Sequence, residues 1–414
     1  MTLRRTPEDF IVDESPTEEF AGGLFAAPSA EASHGVYRLE KTQLTTPHAA
    51  QLLAAKLGVR AQAVEYAGLK DKHAKTGQLL TVKVATVADG ALLPREASGP
   101  KWSATLVGWS RTAIDAAAIA ANRFRIVVRD VRPEEDATMR FRASLLATGR
   151  GSLSIVNYFG AQRFGSARHG EGWIARELIS GRFERALRLA IGTPSRKDTG
   201  VTRTFTRALA SGWGDWQRLA RELPRCPEKK AIERLAFMAS RRSEPIDERG
   251  YREAFVALPY FLQQLYVEAY QSHLWNETAR RFLRRCVPAS ALATADDEFG
   301  EMLFPAFAAT TDDLRTLHLP LAAPETKVEG MPWGKDLEST LRDEKLALAD
   351  LKIPGLRRPF FGEAMRPLFV EATSFEIGAA ERDDLGSSKR LKVEVRFDLP
   401  RGAYATVVLR ALGQ

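Results

Sequence analysis

The chain has only two cysteines, Cys226 and Cys286, among its 414 residues. Two isolated cysteines cannot form a disulfide framework or a cysteine-rich zinc site. The six histidines do not pair at the spacing of metal ligands. No uninterrupted apolar run reaches the length of a membrane-spanning helix, and the N-terminal residues lack the apolar core of a signal peptide. We therefore expect a cytoplasmic protein with no membrane partner.

Several motifs that mark cofactor or nucleophile chemistry are also missing from the sequence. It contains no glycine-rich phosphate loop, no G-x-G-x-x-G after a strand, no H-E-x-x-H and no G-x-S-x-G. The Pro-Cys-x-x-Cys of zinc nucleobase deaminases is absent too. We expect no metal, nucleotide or redox cofactor.

The composition is that of a globular protein with a basic surface. Hydrophobic residues make up 44% and charged residues 27% of the chain, which is enough to bury sizeable cores. Lysine plus arginine exceed aspartate plus glutamate by 60 to 52, and the pI is near 9.5. This balance favours a polyanionic partner, because cationic surfaces attract phosphate groups.

Hydrophobic periodicity separates strand-rich ends from a helical middle. Period-two patterns or short apolar runs predict strands over residues 10–14, 36–41, 64–67, 80–84, 122–130 and 391–398. A helix is predicted from Pro47, which suits a first turn, to Gly58, and a short closing helix over residues 404–412. Helical patterns dominate residues 165–290. This order indicates a sheet domain into which a second domain is inserted.

One carboxylate lies inside a strongly cationic segment between two predicted strands. Asp71 stands between Lys70 and Lys72, with His73 close behind, in a segment that we call the Asp71 loop, residues 67–73. Cationic neighbours, Lys70 among them, would keep Asp71 ionised and favour a nucleophile or general base over a general acid. The alternative interpretation is a solvated surface turn, in which His73 is a local hydrogen-bonding residue.

A second unusual cluster occupies residues 157–165, Asn-Tyr-Phe-Gly-Ala-Gln-Arg-Phe-Gly. Aromatic residues beside arginine could stack on bases and bind phosphate. The interpretation that we favour is a domain junction, in which the glycines permit close backbone approach and the rings pack in a core. The arginines between residues 163 and 242 are most simply solvated helix faces, and only secondarily an RNA-contacting surface.

Taken together, these segments resemble the TruD family of tRNA pseudouridine synthases. The resemblance rests on ordered pieces that span nearly the whole chain: Pro7-Glu-Asp-Phe-Ile-Val, Ala67-Gly-Leu-Lys-Asp-Lys-His-Ala, Asn122-Arg-Phe, Asn157-Tyr-Phe-Gly-Ala-Gln-Arg-Phe-Gly and Leu399-Pro-Arg-Gly-Ala-Tyr-Ala-Thr, with a weaker match at Gln271-Ser-His-Leu-Trp-Asn. The second and fourth pieces are highly specific.

The resemblance implies an α+β fold. A catalytic domain of the pseudouridine-synthase type, with a mixed, largely antiparallel sheet and flanking helices, would comprise residues 1–156 and 367–414. A mainly helical α+β domain specific to the family, the TRUD domain, would be inserted over residues 157–366. RNA is expected in the cleft between the two.

The resemblance also implies a site. Asp71 matches the family's catalytic aspartate, and Phe10, Asn122 and Tyr404 fall on positions that line the uridine pocket, with Phe124 close to them. Lys70 and Arg4 are expected to bind substrate beside Asp71. Two positions depart from the family pattern, since Arg4 replaces a frequent lysine and Tyr404 a common phenylalanine. Both changes keep the charge or the ring, so they bear on binding geometry more than on activity.

The expected function is isomerisation of a uridine in tRNA to pseudouridine, at position 13 by resemblance to the bacterial branch of the family. Asp71 would act as a nucleophile on C1′ or C6, or as a base at C2′, and the sequence does not choose between them. A monomer that binds tRNA without an obligate protein partner is expected. The rival functions are a catalytically silent RNA-binding or RNA-chaperone protein and an RNA hydrolase that uses the same aspartate.

Overall fold

The computed structural model describes residues 1–29, 31–72, 74–83, 93–149, 151–167, 169–195, 198, 200–241, 244–387 and 389–414. His73 and the last residue of the strand predicted over 80–84 lie outside the described residues. The chain forms two compact units. Unit 1 comprises residues 1–156, 306–308 and 369–414, and unit 2 comprises residues 157–305 and 309–368. The domain boundaries that the resemblance implies lie at residues 156 and 366.

The strands are β1 (Phe10–Pro16), β2 (His34–Thr42), β3 (Val64–Tyr66), β4 (Lys75–Lys83), β5 (Glu96–Gly99), β6 (Trp102–Ser110), β7 (Ile119–Val131), β8 (Ala147–Gly149), β9 (Ser152–Val156), β10 (Leu292–Ala295), β11 (Met302–Pro305), β12 (His318–Leu321), β13 (Ala364–Pro367), β14 (Phe369–Ile377), β15 (Glu381–Arg382) and β16 (Leu391–Pro400).

The α-helices are α1 (Glu18–Gly22), α2 (Thr46–Lys56), α3 (Pro133–Leu146), α4 (Ile174–Ile179), α5 (Phe183–Leu187), α6 (Gly200–Gly212), α7 (Trp216–Glu222), α8 (Lys229–Ala239), α9 (Glu248–Val256), α10 (Tyr260–Cys286), α11 (Asp312–Arg315), α12 (Gly334–Asp343) and α13 (Ala405–Ala411). Within the described residues, no helix has both the length and the apolar character needed to cross a membrane.

Unit 1 is built on a twelve-stranded sheet with the order β5-β6-β2-β4-β1-β7-β16-β14-β9-β8, to which β15 adds beside β16 and β3 beside β4. The pair β1–β4 is parallel, and the other paired strands are antiparallel. The prediction of a mixed, largely antiparallel sheet in an α+β protein is confirmed. The middle of the sheet joins strands from both ends of the chain, because β7 lies between β1 and β16.

Alternating side chains explain why β16 lies in this central position. Val393, Val395, Phe397 and Leu399 are at most 1% exposed, and the residues between them are more accessible. A strand with one fully buried face is strongly specified in register, because a shift by one residue would turn that face to water. Phe397 is thereby paired with Phe124, and Leu399 with Asn122.

Helix α2 begins and ends where the sequence predicts. Pro47 lies in its first turn, the Thr45 hydroxyl accepts a hydrogen bond from the His48 N–H, and Gly58 follows the helix with a φ of +68°. Only glycine adopts this left-handed conformation without steric cost, so the chain can turn there toward β3. The helix starts with Thr46, which is completely buried and faces the Asp71 loop.

Unit 2 is organised around α10, the 27-residue helix Tyr260–Cys286. The residue 157–165 cluster packs against it: the amide of Asn276 accepts from the Phe159 N–H and donates to the Phe159 carbonyl, both at 2.9 Å. Tyr158 contacts Trp275 edge to face, with ring centroids 6.4 Å apart. Tyr158, Phe159 and Phe164 are at most 5% exposed. The packing interpretation of this cluster therefore holds, and its rings are not free to stack on bases.

Candidate active site

The backbone of the Asp71 loop is held by side chains that are themselves buried. The Thr46 hydroxyl accepts a hydrogen bond from the Lys70 N–H at 3.0 Å and donates one to Gln78 Oε1 at 2.8 Å. The Gln78 amide donates in turn to the Gly68 carbonyl at 3.3 Å. Thr46 and Gln78 are 0% and 1% exposed, so water competes little for these bonds. The start of α2 and strand β4 thus fix the loop.

Lys41, on β2, supports the loop directly at the predicted catalytic residue. Its ammonium donates to the backbone carbonyl of Asp71 at 3.0 Å, and the residue is 1% exposed. Burial lowers the pKa of Lys41 to about 8, because the interior disfavours the charged ammonium; Asp71 acts to raise this pKa and Lys70 to lower it. Lys41 is therefore a buried cation that positions the Asp71 backbone.

Arg401, in the turn after β16, ties the start of the loop to the far end of the chain. Its guanidinium donates to the Ala67 carbonyl at 3.3 Å and to the Ala116 carbonyl at 2.5 Å. The arginine itself is exposed. The loop is thus held on its Ala67 side by a residue that belongs to the last sequence motif, Leu399-Pro-Arg-Gly-Ala-Tyr-Ala-Thr.

The Asp71 carboxylate forms an ion pair with Arg4. Arg4 Nη1 lies 2.7 Å from Asp71 Oδ2, and the two side chains are 30% and 18% exposed, so the carboxylate can be reached from solvent. The guanidinium also lies 4.1 Å from the centroid of the Phe10 ring. Arg4 has a φ of +60°, a left-handed conformation that residues with a Cβ seldom adopt and that is more frequent at functional sites.

The Lys70 ammonium contacts the side chains of Glu14 and Asn122. It lies 2.7 Å from Glu14 Oε1 and donates to Asn122 Oδ1 at 2.5 Å. The side chains of Lys70 and Glu14 are 11% and 2% exposed. The ion pair with Asp71 is thus made by Arg4, whereas Lys70 joins β1 to β7 through Glu14 and Asn122. The structure thus places Lys70 as a buried link between the two strands, and its role in substrate binding stays a prediction.

The predicted aromatic residues divide into two groups. Phe10 and Phe124 are 3% and 8% exposed and lie edge to face with centroids 6.2 Å apart, and Phe124 continues to Phe397 at 5.4 Å. Phe10 is therefore a core residue that carries the Arg4 guanidinium on its ring. Tyr404 is half-buried and lies immediately before α13. Of the aromatic residues predicted to line the pocket, Tyr404 is the more accessible.

The aspartate of the motif Pro7-Glu-Asp-Phe, Asp9, belongs to a buried ion cluster. Arg129, on β7, donates to Asp9 Oδ1 at 2.8 Å and to Asp383 Oδ1 at 2.7 Å, and it contacts Asp384 at 2.8 Å. The other Asp9 oxygen accepts from the Thr6 N–H at 2.9 Å. The cluster therefore fixes the turn between Arg4 and Phe10, and through it the position of the guanidinium that pairs with Asp71.

Sequence reasoning missed Lys41 and Glu14, although a signal for both exists. Glu14 follows Val12 on the buried face of β1, and Lys41 follows Leu39 on the buried face of β2. A charged residue that continues an apolar face at period two must be paired or must serve a function, because an unpaired buried charge is costly. Here Glu14 pairs with Lys70, and Lys41 binds the backbone carbonyl of Asp71.

Replacing Lys41 tests its positioning role. We expect Lys41→Met to lower kcat by about 10-fold to 100-fold, the equivalent of one hydrogen bond to a charged group. In the wild type, kcat should also fall as the pH rises through about 8, because the ammonium that binds the Asp71 carbonyl then loses its proton. The pH profile of kcat between 7 and 9 measures this, and a Lys41→Met variant that keeps the same alkaline decrease would contradict it.

The fold and the site together define a class of protein. In unit 1, a solvent-accessible carboxylate that is paired with an arginine lies on a loop whose backbone is held by buried side chains of a mixed sheet. The family model for tRNA pseudouridine synthase D (TruD) matches residues 1–412, and the chain belongs to this family. It is accordingly an isomerase of the tRNA pseudouridine synthase class, which confirms the family and the enzyme class that the motifs predicted.

Individual relatives are similar to this chain over more than nine-tenths of their length. A protein of Aquifex aeolicus named tRNA pseudouridine synthase D is 25% identical, with 99% of this chain and 97% of the relative aligned. A Methanococcus maripaludis protein named "Probable tRNA pseudouridine synthase D 1" is also 25% identical, over 99% and 98% of the two chains. A crystal structure from Methanosarcina mazei, assigned to TruD, shares the fold with a TM-score of 0.67 and 22% identity, over 99% of this chain and 92% of that one.

Proposed function

We propose that this protein isomerises a specific uridine of tRNA, uridine 13 by family resemblance, to pseudouridine, with Asp71 as the catalytic residue. The N1–C1′ glycosidic bond breaks, the uracil rotates, and C5 joins C1′. C5 then loses its proton and N1 gains one, so the product is an isomer of the substrate. Asp71 acts first, on C1′, on C6 or at C2′.

The observation that carries the proposal is the accessible Asp71 carboxylate on a fixed backbone. Reaction at a sugar or base carbon requires the attacking oxygen to be held in place, since a loose group loses the advantage of proximity. The Lys41 and Thr46 contacts restrain the loop backbone, and the Arg4 ion pair orients the carboxylate. An oxygen that is reachable and oriented suits a nucleophile or base.

The other residues have supporting roles in this proposal. Tyr404, the half-buried aromatic residue, stacks on the extruded uracil; such stacking contributes about 1–3 kcal/mol in other nucleic-acid sites. Asn122, whose Oδ1 is taken by Lys70, uses its amide N–H groups on a uracil carbonyl. Arg4, 30% exposed, meets the negative charge of the RNA from beside Asp71. Phe10 and Phe124 form the base of the uracil pocket.

The charge of the chain supports a tRNA substrate. The formal net charge is +8 at pH 7, and cationic surfaces bind RNA phosphates with release of counterions. We propose that the protein acts as a monomer in the cytoplasm, on folded tRNA.

Incubation of the protein with total unmodified tRNA tests the proposal. We expect pseudouridine to appear at a single position, uridine 13, in a subset of tRNAs. A single active site that recognises the folded tRNA brings only one nucleotide to Asp71. Sequencing after carbodiimide labelling, which marks pseudouridine, measures both the activity and the position.

Two outcomes have separate meanings. Pseudouridine at a different single position would overturn the choice of uridine 13 but keep the enzyme. Cleavage of the tRNA without pseudouridine would favour the RNA hydrolase.

A further inference from the structure

The Asp71 loop presents an apolar side chain to solvent directly beside the predicted catalytic residue. Leu69 is 71% exposed, the greatest exposure among the large apolar side chains that the structure describes. Single exposed apolar residues are common and need no explanation by themselves. Leu69 differs because the backbone on both sides of it is fixed.

The residues around Leu69 leave its backbone little conformational freedom. The Gly68 carbonyl accepts from Gln78 at 3.3 Å, and the Lys70 N–H donates to Thr46 at 3.0 Å. A leucine on a mobile loop could move away from the catalytic carboxylate, but here the neighbouring peptide groups hold the Leu69 backbone in place. The loop therefore presents an exposed isobutyl group from a fixed backbone position.

The surroundings of Leu69 are cationic. Lys72 and Arg401 are both exposed, and the Arg401 guanidinium binds the Ala67 carbonyl within the same loop. An apolar tip between cations suits RNA, where phosphates lie on the outside and stacked bases inside. A neutral or basic protein surface does not suit it, because such an interface would bury the charges without pairing them.

The distance from Leu69 to Asp71 fits the geometry of a base stack. Two residues along the chain span at most about 7 Å. Stacked bases in a strand repeat at about 3.4 Å. Leu69 and Asp71 can therefore contact the RNA at points separated by no more than about two stacked bases. A uridine that leaves the stack to reach Asp71 leaves an opening one layer thick. Several proteins that unstack nucleic acids insert an apolar residue into such an opening.

We propose that Leu69 inserts into the tRNA stack and fills the space that the target uridine vacates, an inference that rests on the function proposed above. Leu69 thereby stabilises the extruded state and presents the uridine to Asp71. Its role is to position the substrate, and it takes no part in bond making.

The test compares Leu69→Ala on two RNAs. One is the folded tRNA with its mapped target; the other is the same tRNA with that uridine made a single-nucleotide bulge, which is already unstacked. We expect kcat/KM to fall about 10-fold to 100-fold on the folded tRNA, the equivalent of burying one leucine side chain. On the bulged tRNA, the loss should be less than about 3-fold, because the opening costs little there.

Two variants and a spectroscopic signal make the result specific. Leu69→Met keeps an apolar side chain of similar volume and should have near wild-type activity on the folded tRNA. Val107→Ala shortens an exposed apolar residue on β6 and should leave kcat/KM unchanged on both RNAs. In the Asp71→Asn background, 2-aminopurine next to the target should brighten on binding, and Leu69→Ala should remove that increase.

The outcomes separate this inference from the proposed function. An equal loss on both RNAs would show that Leu69 only supports the loop, and no loss on either would show that nothing inserts; each overturns the inference while the enzyme stands. A wild-type protein that forms no pseudouridine on either RNA would overturn both.

Discussion

Asp71→Asn and Asp71→Ala should each abolish pseudouridine formation while tRNA binding is retained. Loss of a single essential catalytic side chain lowers kcat by roughly 10⁴-fold to 10⁶-fold in other enzymes, and we expect a loss of that order. Binding should persist, because phosphate contacts dominate RNA affinity and removal of a negative charge does not weaken them. Single-turnover formation of pseudouridine and a filter-binding titration measure the two properties.

The matched control for this prediction is Asp13→Asn. Asp13 is an aspartate of the same unit, is 33% exposed and also forms an ion pair with an arginine, Arg38, at 2.8 Å. Loss of an exposed ion pair changes stability by about 1 kcal/mol or less, so both Asp71 variants and the control should remain folded. If Asp71→Ala kept more than a tenth of the wild-type activity, another group would have to perform the chemistry. If it lost binding as well, the loss of activity would follow from lost substrate affinity, and the catalytic assignment of Asp71 would be overturned.

Arg129→Met should lower the free energy of unfolding far more than the loss of an exposed ion pair does. Burial of Asp383 acts to raise its pKa, but hydrogen bonds from the Leu385 and Asp130 N–H groups and from Arg129 outweigh this and lower it. Removal of the guanidinium leaves Asp9 and Asp383, 2% and 0% exposed, without their cation. Breaking a buried ion pair in this way costs about 3–5 kcal/mol.

Urea denaturation at pH 7 measures the effect of Arg129→Met. A carboxylate with a lowered pKa stabilises the fold above its ordinary titration range near pH 4 and loses this contribution as the pH falls through the folded-state pKa, so the full difference is present at pH 7. Arg123→Met is the control on the same strand: Arg123 is 64% exposed and pairs with Asp398, and its loss should cost less than about 1 kcal/mol. Equal effects of the two variants would refute the buried-cluster argument.

Much of unit 1 could be predicted from residue periodicity. The alternation over residues 391–398 predicts a half-buried strand, and β16 covers it as Leu391–Pro400. Pro47 and Gly58 bracket α2 as expected. These features are local, since a side chain's face within a strand or the end of a helix depends on a few neighbouring residues.

The partners of the charged residues in the site could not be predicted in the same way. Asp71 stands next to Lys70 in sequence, yet its ion pair is with Arg4, 67 positions earlier. Lys70 instead meets Glu14 and Asn122, which face each other only because β1 and β7 pair in that register. Strand register and turn geometry decide these contacts, and neither is visible in the spacing of residues along one segment.

The central place of β16 beside β7 has a consequence for the order in which the chain can mature on the ribosome. Every residue of unit 2 is translated before β16, so unit 2 can acquire its core while unit 1 still lacks a strand from the middle of its sheet. Until Pro400 emerges from the exit tunnel, β7 has one open edge. The anchor that Arg401 provides for the Asp71 loop arrives later still, so the loop lacks the restraint on its Ala67 side until residue 401 has been translated.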